Sequence, residues 1–166
     1  MSATNILILI PHPDDEIVGC CAAIGRAQAA GARVFGLYLT HGCIAQPAMW
    51  FWQRKQYEKN IARRRAEAEQ IAQFLNLTPV GFSPRPARFL WQELPQVRDE
   101  IAAAIRSHGI NELWTPAYEG GNPDHDALNA IASTFRSHMS VLEFAEYNFH
   151  RGKTNSQIFP FPNGKE

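Results

Sequence analysis

The sequence predicts an α/β fold: a Rossmann-like, open, mostly parallel sheet with helices on both faces, in a single domain. Three observations predict it. Asn5 to Ile10 is a short apolar-leaning run that stops abruptly at turn chemistry, as a strand buried on both faces does. Helix-like and strand-like segments then alternate along the chain, the order that builds a parallel sheet with right-handed crossovers. Finally, 166 residues with 45% apolar content suit one globular domain with a core of its own.

After the first strand comes Pro11-His12-Pro13-Asp14-Asp15-Glu16. Pro13 suits the first turn of a helix, and the three acids would then sit at the positive end of the helix dipole. In an open parallel sheet, chemistry collects beyond the carboxyl ends of the strands, so this His/Asp/Asp/Glu cluster is a candidate site. The plainer reading is an acidic first turn with an incidental histidine. Residues 16–30 are mostly small, with Gly19 and Gly25 inside and Gly31 just beyond, which predicts a helix lying close against the sheet. Residues 33–40 form the second strand. The first turn lacks a G-x-G-x-x-G and offers carboxylates where a pyrophosphate would want bare amides, so no dinucleotide cofactor is expected.

An irregular loop over residues 42–56 carries Met49, Trp50, Phe51 and Trp52 in a row. Two readings of it stay open: the rings stack on a sugar or close over substrate, or they cap the core or bury at a subunit contact. A helix over residues 54–76 keeps Tyr57, Ile61, Ala68, Ile71, Ala72 and Leu75 on one face. A short strand at 79–82 is followed by a loop bearing Arg85, Arg88, Phe89 and Trp91, expected to reach over the same carboxyl edge. Helix 95–107 ends at Gly109, strand 112–115 returns to the sheet, helix 124–138 follows, and residues 141–149 read as the last strand. His108, His138 and His150 have no motif around them and read as structural. Residues 1–150 make the domain, and residues 151–166, with Pro160, Pro162 and Gly164, are expected to form an extended tail.

A second stretch, Glu119-Gly120-Gly121-Asn122-Pro123-Asp124-His125-Asp126, repeats the first arrangement: a strand-like segment, a loop, then a polar residue, proline and an acid opening a helix. Two such turns, each with a histidine, could place His12, Asp15 and His125 around one point. Together they resemble the PIG-L/LmbE-type zinc-dependent N-deacetylases, whose motifs are usually written A-H-P-D-D-E and H-P-D-H. Leu39-Thr40-His41-Gly42 stands where the family often has T-D-G, and Arg64-x-x-Glu67 opens a matching helix. The chain departs from the pattern at Asn122, where the family has histidine, and at His41, where it usually has aspartate. It also ends at Glu166, whereas members are usually considerably longer and commonly use their C-terminal part to build the substrate pocket.

The resemblance implies zinc bound by His12, Asp15 and His125, with Asp14 as general base. Three protein ligands leave a tetrahedral metal one open position, the arrangement of a catalytic site. Histidine and carboxylate ligands also accept Fe2+, Co2+ or Mn2+. The implied reaction removes an N-acetyl group from an N-acetylglucosamine-type sugar or conjugate, with Arg64, Asn122 and Glu119 contacting the substrate. The sugar rests on the resemblance alone. Two alternatives are a metal-dependent hydrolase of a non-sugar amide and a catalytically weakened, metal-containing carbohydrate-binding module.

Sixteen basic and sixteen acidic residues give zero net charge, so neither nucleic acid nor a membrane is an expected partner; a homo-oligomer is compatible. The N-terminal apolar run is too short for an export signal and lacks a charged leader. Of three cysteines, Cys20 and Cys21 are adjacent on a predicted helix, which suits neither a disulfide framework nor a zinc site, and a cytoplasmic location is expected.

Overall fold

A computed structural model describes residues 4–148 and 153–159. In chain order the elements are β1 (Asn5–Ile10), α1 (Asp15–Ala29), β2 (Arg33–Tyr38), α2 (Tyr57–Phe74), β3 (Thr78–Phe82), α3 (Leu94–His108), β4 (Glu112–Pro116), α4 (Pro123–Ser133), β5 (Ser140–Phe144), β6 (Tyr147–Asn148) and β7 (Asn155–Ser156). The first five strands form one parallel sheet in the order β3-β2-β1-β4-β5. From β1 the chain winds outward through β2 and β3, then returns to β4 on the other side of β1. The crevice beyond the carboxyl ends of β1 and β4 is therefore the topological switch point of the sheet.

Alternation along β1 divides the core. Ile6, Ile8 and Ile10 pack with Cys20 and Ile24 of α1 and Ala68 and Ala72 of α2. Leu7 and Leu9 pack with Val97 and Ile101 of α3 and Leu128, Ile131 and Ala132 of α4. These five β1 side chains are essentially inaccessible. At roughly 1.5–3 kcal/mol each, their gross burial is on the order of 10 kcal/mol, so the loop that leaves β1 is anchored on a rigid strand.

Several expected boundaries move, each for a local reason. Asp14, not Pro13, borders α1: Asp14 is its N-cap, and its carbonyl accepts from Ile17 and Val18 N–H. Gly19 does let α1 approach the sheet closely, since a Cβ there would lie 2.5 Å from the Phe144 ring, whereas Gly25 faces open space. α4 stops at Ser133, five residues short of the expected end. There the Ser133 and Thr134 hydroxyls bond the Ala130 and Ile131 carbonyls at 2.7 Å, competing with the helical ladder.

The expected last strand, 141–149, breaks after Phe144. The Glu146 and Tyr147 amides turn to a buried carboxylate, Glu119 Oε1, at 3.2 and 3.1 Å, so the strand cannot continue in the sheet. Tyr147 and Asn148 instead pair antiparallel with Asn155 and Ser156. Where an extended tail was expected, residues 153–159 thus include a paired strand; Gln157 N–H also bonds Glu146 O at 2.7 Å and its side chain bonds Val18 O at 3.0 Å. His150 and residues 160–166 lie outside the described residues. No helix among the described residues is long and apolar enough to cross a membrane.

Candidate metal centre

His12 and Asp15 leave the end of β1, and His125 lies in the first turn of α4, which follows β4. The switch point brings them together. His12 Nδ1 is 3.3 Å and His125 Nε2 is 3.5 Å from the same atom, Asp15 Oδ2. One ligand atom from each residue lies within 4.8 Å of the others, although 110 residues separate Asp15 from His125. The three side chains are buried or nearly so, at 14, 8 and 1% exposure for His12, Asp15 and His125.

Each imidazole has a carboxylate behind it. Asp124 Oδ2 lies 2.9 Å from His12 Nε2, and Glu119 Oε2 lies 3.3 Å from His125 Nδ1. Such partners fix ring orientation and tautomer and leave the opposite nitrogen for a metal. Asp124 is held in turn by the Arg88 and Leu90 amides, and it pins Arg88 in a left-handed conformation at φ 76°. The loop expected to reach over the carboxyl edge does so through this carboxylate.

The electrostatics fit a cation. Burial alone would lower the His12 pKa, but hydrogen bonds to Asp124 and Asp15 outweigh it and push the group up to about 9. For His125, burial is outweighed by Asp15 and Glu119, and the group rises to about 10. Burial opposes ionisation of Asp15, yet the two histidines hold it well below the usual carboxylate range. Among the described residues, buried His125 Nε2 has no hydrogen-bond partner. Two imidazole nitrogens and a carboxylate oxygen converging around such an atom fit a divalent metal of the zinc, iron, cobalt or manganese kind. Cys20, Cys21 and Cys43 are free and outside this group.

The group opens into a cleft of about 300 Å³. Asp14 lines it in a conformation rare for a residue with a side chain, φ 130° and ψ −22°, with its amide donating to Glu16 Oε2 at 3.0 Å. That turn swings its carboxylate away from Asp15 to Arg64, whose two terminal nitrogens each lie 3.3 Å from Asp14 Oδ2. Burial raises the Asp14 pKa against the pull of Arg64. Gly42, at φ 74°, makes room for this pair: a Cβ there would sit 3.0 Å from Arg64 Nε and 2.8 Å from Pro13 Cδ.

Of the three residues expected to contact substrate, Arg64 and Asn122 line the cleft and Glu119 is not among its lining residues. The Glu119 side chain is 2% exposed, with one oxygen facing His125 and the other accepting from the Glu146 and Tyr147 amides. Asn122 caps α4, its Oδ1 accepting from Asp124 N–H at 3.1 Å, while its Nδ2 donates to the Tyr147 hydroxyl at 3.2 Å. Glu146 and Tyr147 line the cleft without having been singled out. Burial and the neighbouring Asp15 push Glu146 up to about 9, and its Oε1 is buried with no hydrogen-bond partner among the described residues.

Two other features stand apart. Trp50, Phe51 and Trp52 are exposed at 67, 74 and 57%; Trp50 and Trp52 stack with centroids 5.1 Å apart and Phe51 meets Trp52 edge-on, so they do not cap the core. A larger hollow of about 420 Å³ lies beside β3 and α3, but its acid, Glu100, is committed to Arg85.

Residues 7–135 match the family described as PIG-L: GlcNAc-PI de-N-acetylase. No curated protein matches the chain. Among solved structures, the A40926 pseudoaglycone deacetylase Dbv21 is similar at TM-score 0.69 and 21% identity, over 84% of this chain and 62% of that one. N,N'-diacetylchitobiose deacetylase from Pyrococcus horikoshii is similar at 0.57 and 22%, over 79% of this chain and 48% of that one. So is 4-carboxy-2-hydroxymuconate hydratase GalB from Pseudomonas putida KT2440, at 0.57 and 17%, over 81% and 56%. At these identities the likeness is one of fold, and the chain spans less than two thirds of each of these proteins.

Proposed function

The chain belongs to the PIG-L, or GlcNAc-PI de-N-acetylase, family, and on that premise we propose that it is a divalent-metal-dependent hydrolase that removes the N-acetyl group of an N-acetylglucosamine-type sugar or conjugate. The observation that carries this reading is the convergence of His12, Asp15 and His125, with Asp14 turned out beside them into the cleft. The family's description and the diacetylchitobiose named for one structural neighbour support the choice of substrate class. That the same fold serves a hydratase shows why the fold alone does not suffice.

His12 Nδ1, Asp15 and His125 Nε2 would hold the metal, zinc being the first choice for this donor set. When bound, such an ion polarises a carbonyl and lowers the pKa of water to about 7. Asp14 has the geometry of a general base: its carboxylate faces the cleft and can take the proton of an attacking water and return it to the leaving amine. Arg64 keeps that carboxylate aimed and offers a second donor face to the substrate. Asp124 and Glu119 hold the two imidazoles in orientation throughout.

The deciding experiment is metal analysis of purified protein together with acetate release across N-acetyl sugars and non-sugar N-acetyl amides. One metal per chain and acetate from an amino sugar are expected. Turnover of the non-sugar amides alone would replace the sugar reading, and stoichiometric metal with no turnover would favour a binding module.

A further inference from the structure

Beyond the ligands and the base, the structure assigns a role to Tyr147: we propose that its phenol donates the hydrogen bond that stabilises the oxyanion forming on the scissile carbonyl. The inference rests on the deacetylase reading above. Tyr147 lines the cleft, and its ring centroid is 6.0 Å from that of His125.

The direction of one hydrogen bond carries the argument. Asn122 Oδ1 is committed to Asp124 N–H at the start of α4, which fixes the amide so that Nδ2 points at the Tyr147 oxygen. The phenol is therefore an acceptor in that contact and keeps its own proton to donate. Among the described residues no acceptor takes that proton, and Tyr147 and its donor Asn122 both line the cleft. A phenol's ordinary pKa of about 10 keeps it a neutral donor at neutral pH.

The backbone beneath it is fixed. Tyr147 N–H bonds Glu119 Oε1 at 3.1 Å, Tyr147 pairs with Ser156, and the preceding carbonyl accepts from Gln157 N–H and the Ser156 hydroxyl. A donor held this way needs no reorganisation when charge develops, which is what makes such donors effective. Of its neighbours, the Asn122 amide is engaged by Tyr147 itself and Arg64 is paired with the general base Asp14. No bond to the phenol forms or breaks; the proton stays on its oxygen while the carbonyl oxygen gains charge.

The test is Tyr147→Phe, which removes only the hydroxyl, together with Asn122→Asp, which keeps a good helix cap but offers the phenol an acceptor instead of a donor. Expected for Tyr147→Phe is unchanged metal content, a nearly unchanged KM and a kcat lower by roughly 10²-fold. Asn122→Asp should cost much in the Tyr147 background and little once Tyr147 is Phe. A Tyr147→Phe variant that keeps its kcat, or changes only KM, overturns the proposal. Acetohydroxamate binding to cobalt(II)-loaded protein, followed by visible absorption, reads the same hydrogen bond without turnover. If the wild type releases no acetate from any sugar, the deacetylase reading fails by itself. Roughly ten-fold weaker hydroxamate binding in Tyr147→Phe would still uphold Tyr147 as the donor, and equal binding would overturn it.

Discussion

The wall of the cleft built by His12, Asp15 and the start of α4 and the wall built by Asp14, α2 and the β6–β7 ribbon hold their polar groups in different ways. On the first, His12, Asp15, Asp124, His125 and Glu119 are buried and each leans on the next, with Asp124 and Glu119 serving imidazoles on one side and backbone amides on the other. On the second, Asp14 is 48% and Arg64 26% exposed, and the Tyr147 hydroxyl donates to no acceptor among the described residues. A buried, closed network suits holding a charge that must stay, and an open one suits groups that must meet a substrate and exchange a proton. The two walls should therefore fail differently when cut.

The largest expected effect is on the closed wall. His125→Ala should abolish most metal binding, leave Glu119 buried without its imidazole and leave Asp15 with His12 alone, destabilising the fold by roughly 3 kcal/mol. Metal analysis and thermal unfolding of the same preparation check both halves. Full occupancy in His125→Ala would mean that the two loops do not share a site. Asp14→Asn, on the open wall, should keep the metal and melting temperature and lose roughly 10²- to 10⁴-fold in turnover. If it lost metal as well, base and ligand would have to exchange roles.

The difference between the walls also explains what could be read in the amino-acid sequence. His12, Asp14 and Asp15 sit in one turn and His125 in another, so residue types and spacing within a few positions carry them, and the burial of β1 follows from its composition. Asp124 stood in the second motif, but nothing local says that its carboxylate crosses to His12 Nε2. Glu119 looks like a free loop acid until the broken strand after Phe144 supplies two amides for it to bind. Glu146 and Tyr147 were illegible for the same reason. They fall in a stretch whose alternation reads as ordinary strand, and the contacts that divert it, with Glu119, Ser156 and Gln157, lie far from it in the sequence or beyond the expected domain end. The end of α4 was misjudged because apolar periodicity continues to Phe135, which is indeed buried, after the Ser133 and Thr134 hydroxyls have ended the helix.

A third prediction uses protons to separate the walls. In the metal-free protein the neighbouring carboxylates push His12 up to about 9 and His125 up to about 10, which favours protonated imidazoles at pH 7. A metal needs neutral imidazole, so its binding must release protons, and affinity should rise with pH up to about tenfold per unit for each proton released, levelling off above about 10. The stability of the metal-free protein should run the other way. Histidines whose folded pKa is raised contribute fully below their ordinary 6.5, and the contribution is lost as pH climbs through 9 to 10. Asp15, held low, loses its contribution only in strong acid. The melting-temperature gain on adding metal should thus widen from pH 7 to pH 9. Titration calorimetry in buffers of different ionisation heat measures the protons; none released at pH 7 would contradict the carboxylate-backed arrangement of the closed wall.

The smallest effect tests the residue where the walls meet. Asn122 caps α4 with its oxygen and serves Tyr147 with its nitrogen, so its two functions are separable by atom. Asn122→Ala removes both and should cost about 1 kcal/mol of stability, the usual value of an N-cap, lowering the melting temperature by roughly 2–4 °C in a domain of this size. Asn122→Ser restores an oxygen that can cap but is too short to donate to the phenol. It should recover most of the melting temperature and little of the turnover lost in Asn122→Ala, with metal content equal in all three proteins. Recovery of both together would mean that Asn122 acts only as a cap and that the open wall does not depend on it. Recovery of the melting temperature alone would show that the cap belongs to the closed wall and the amide to the open one.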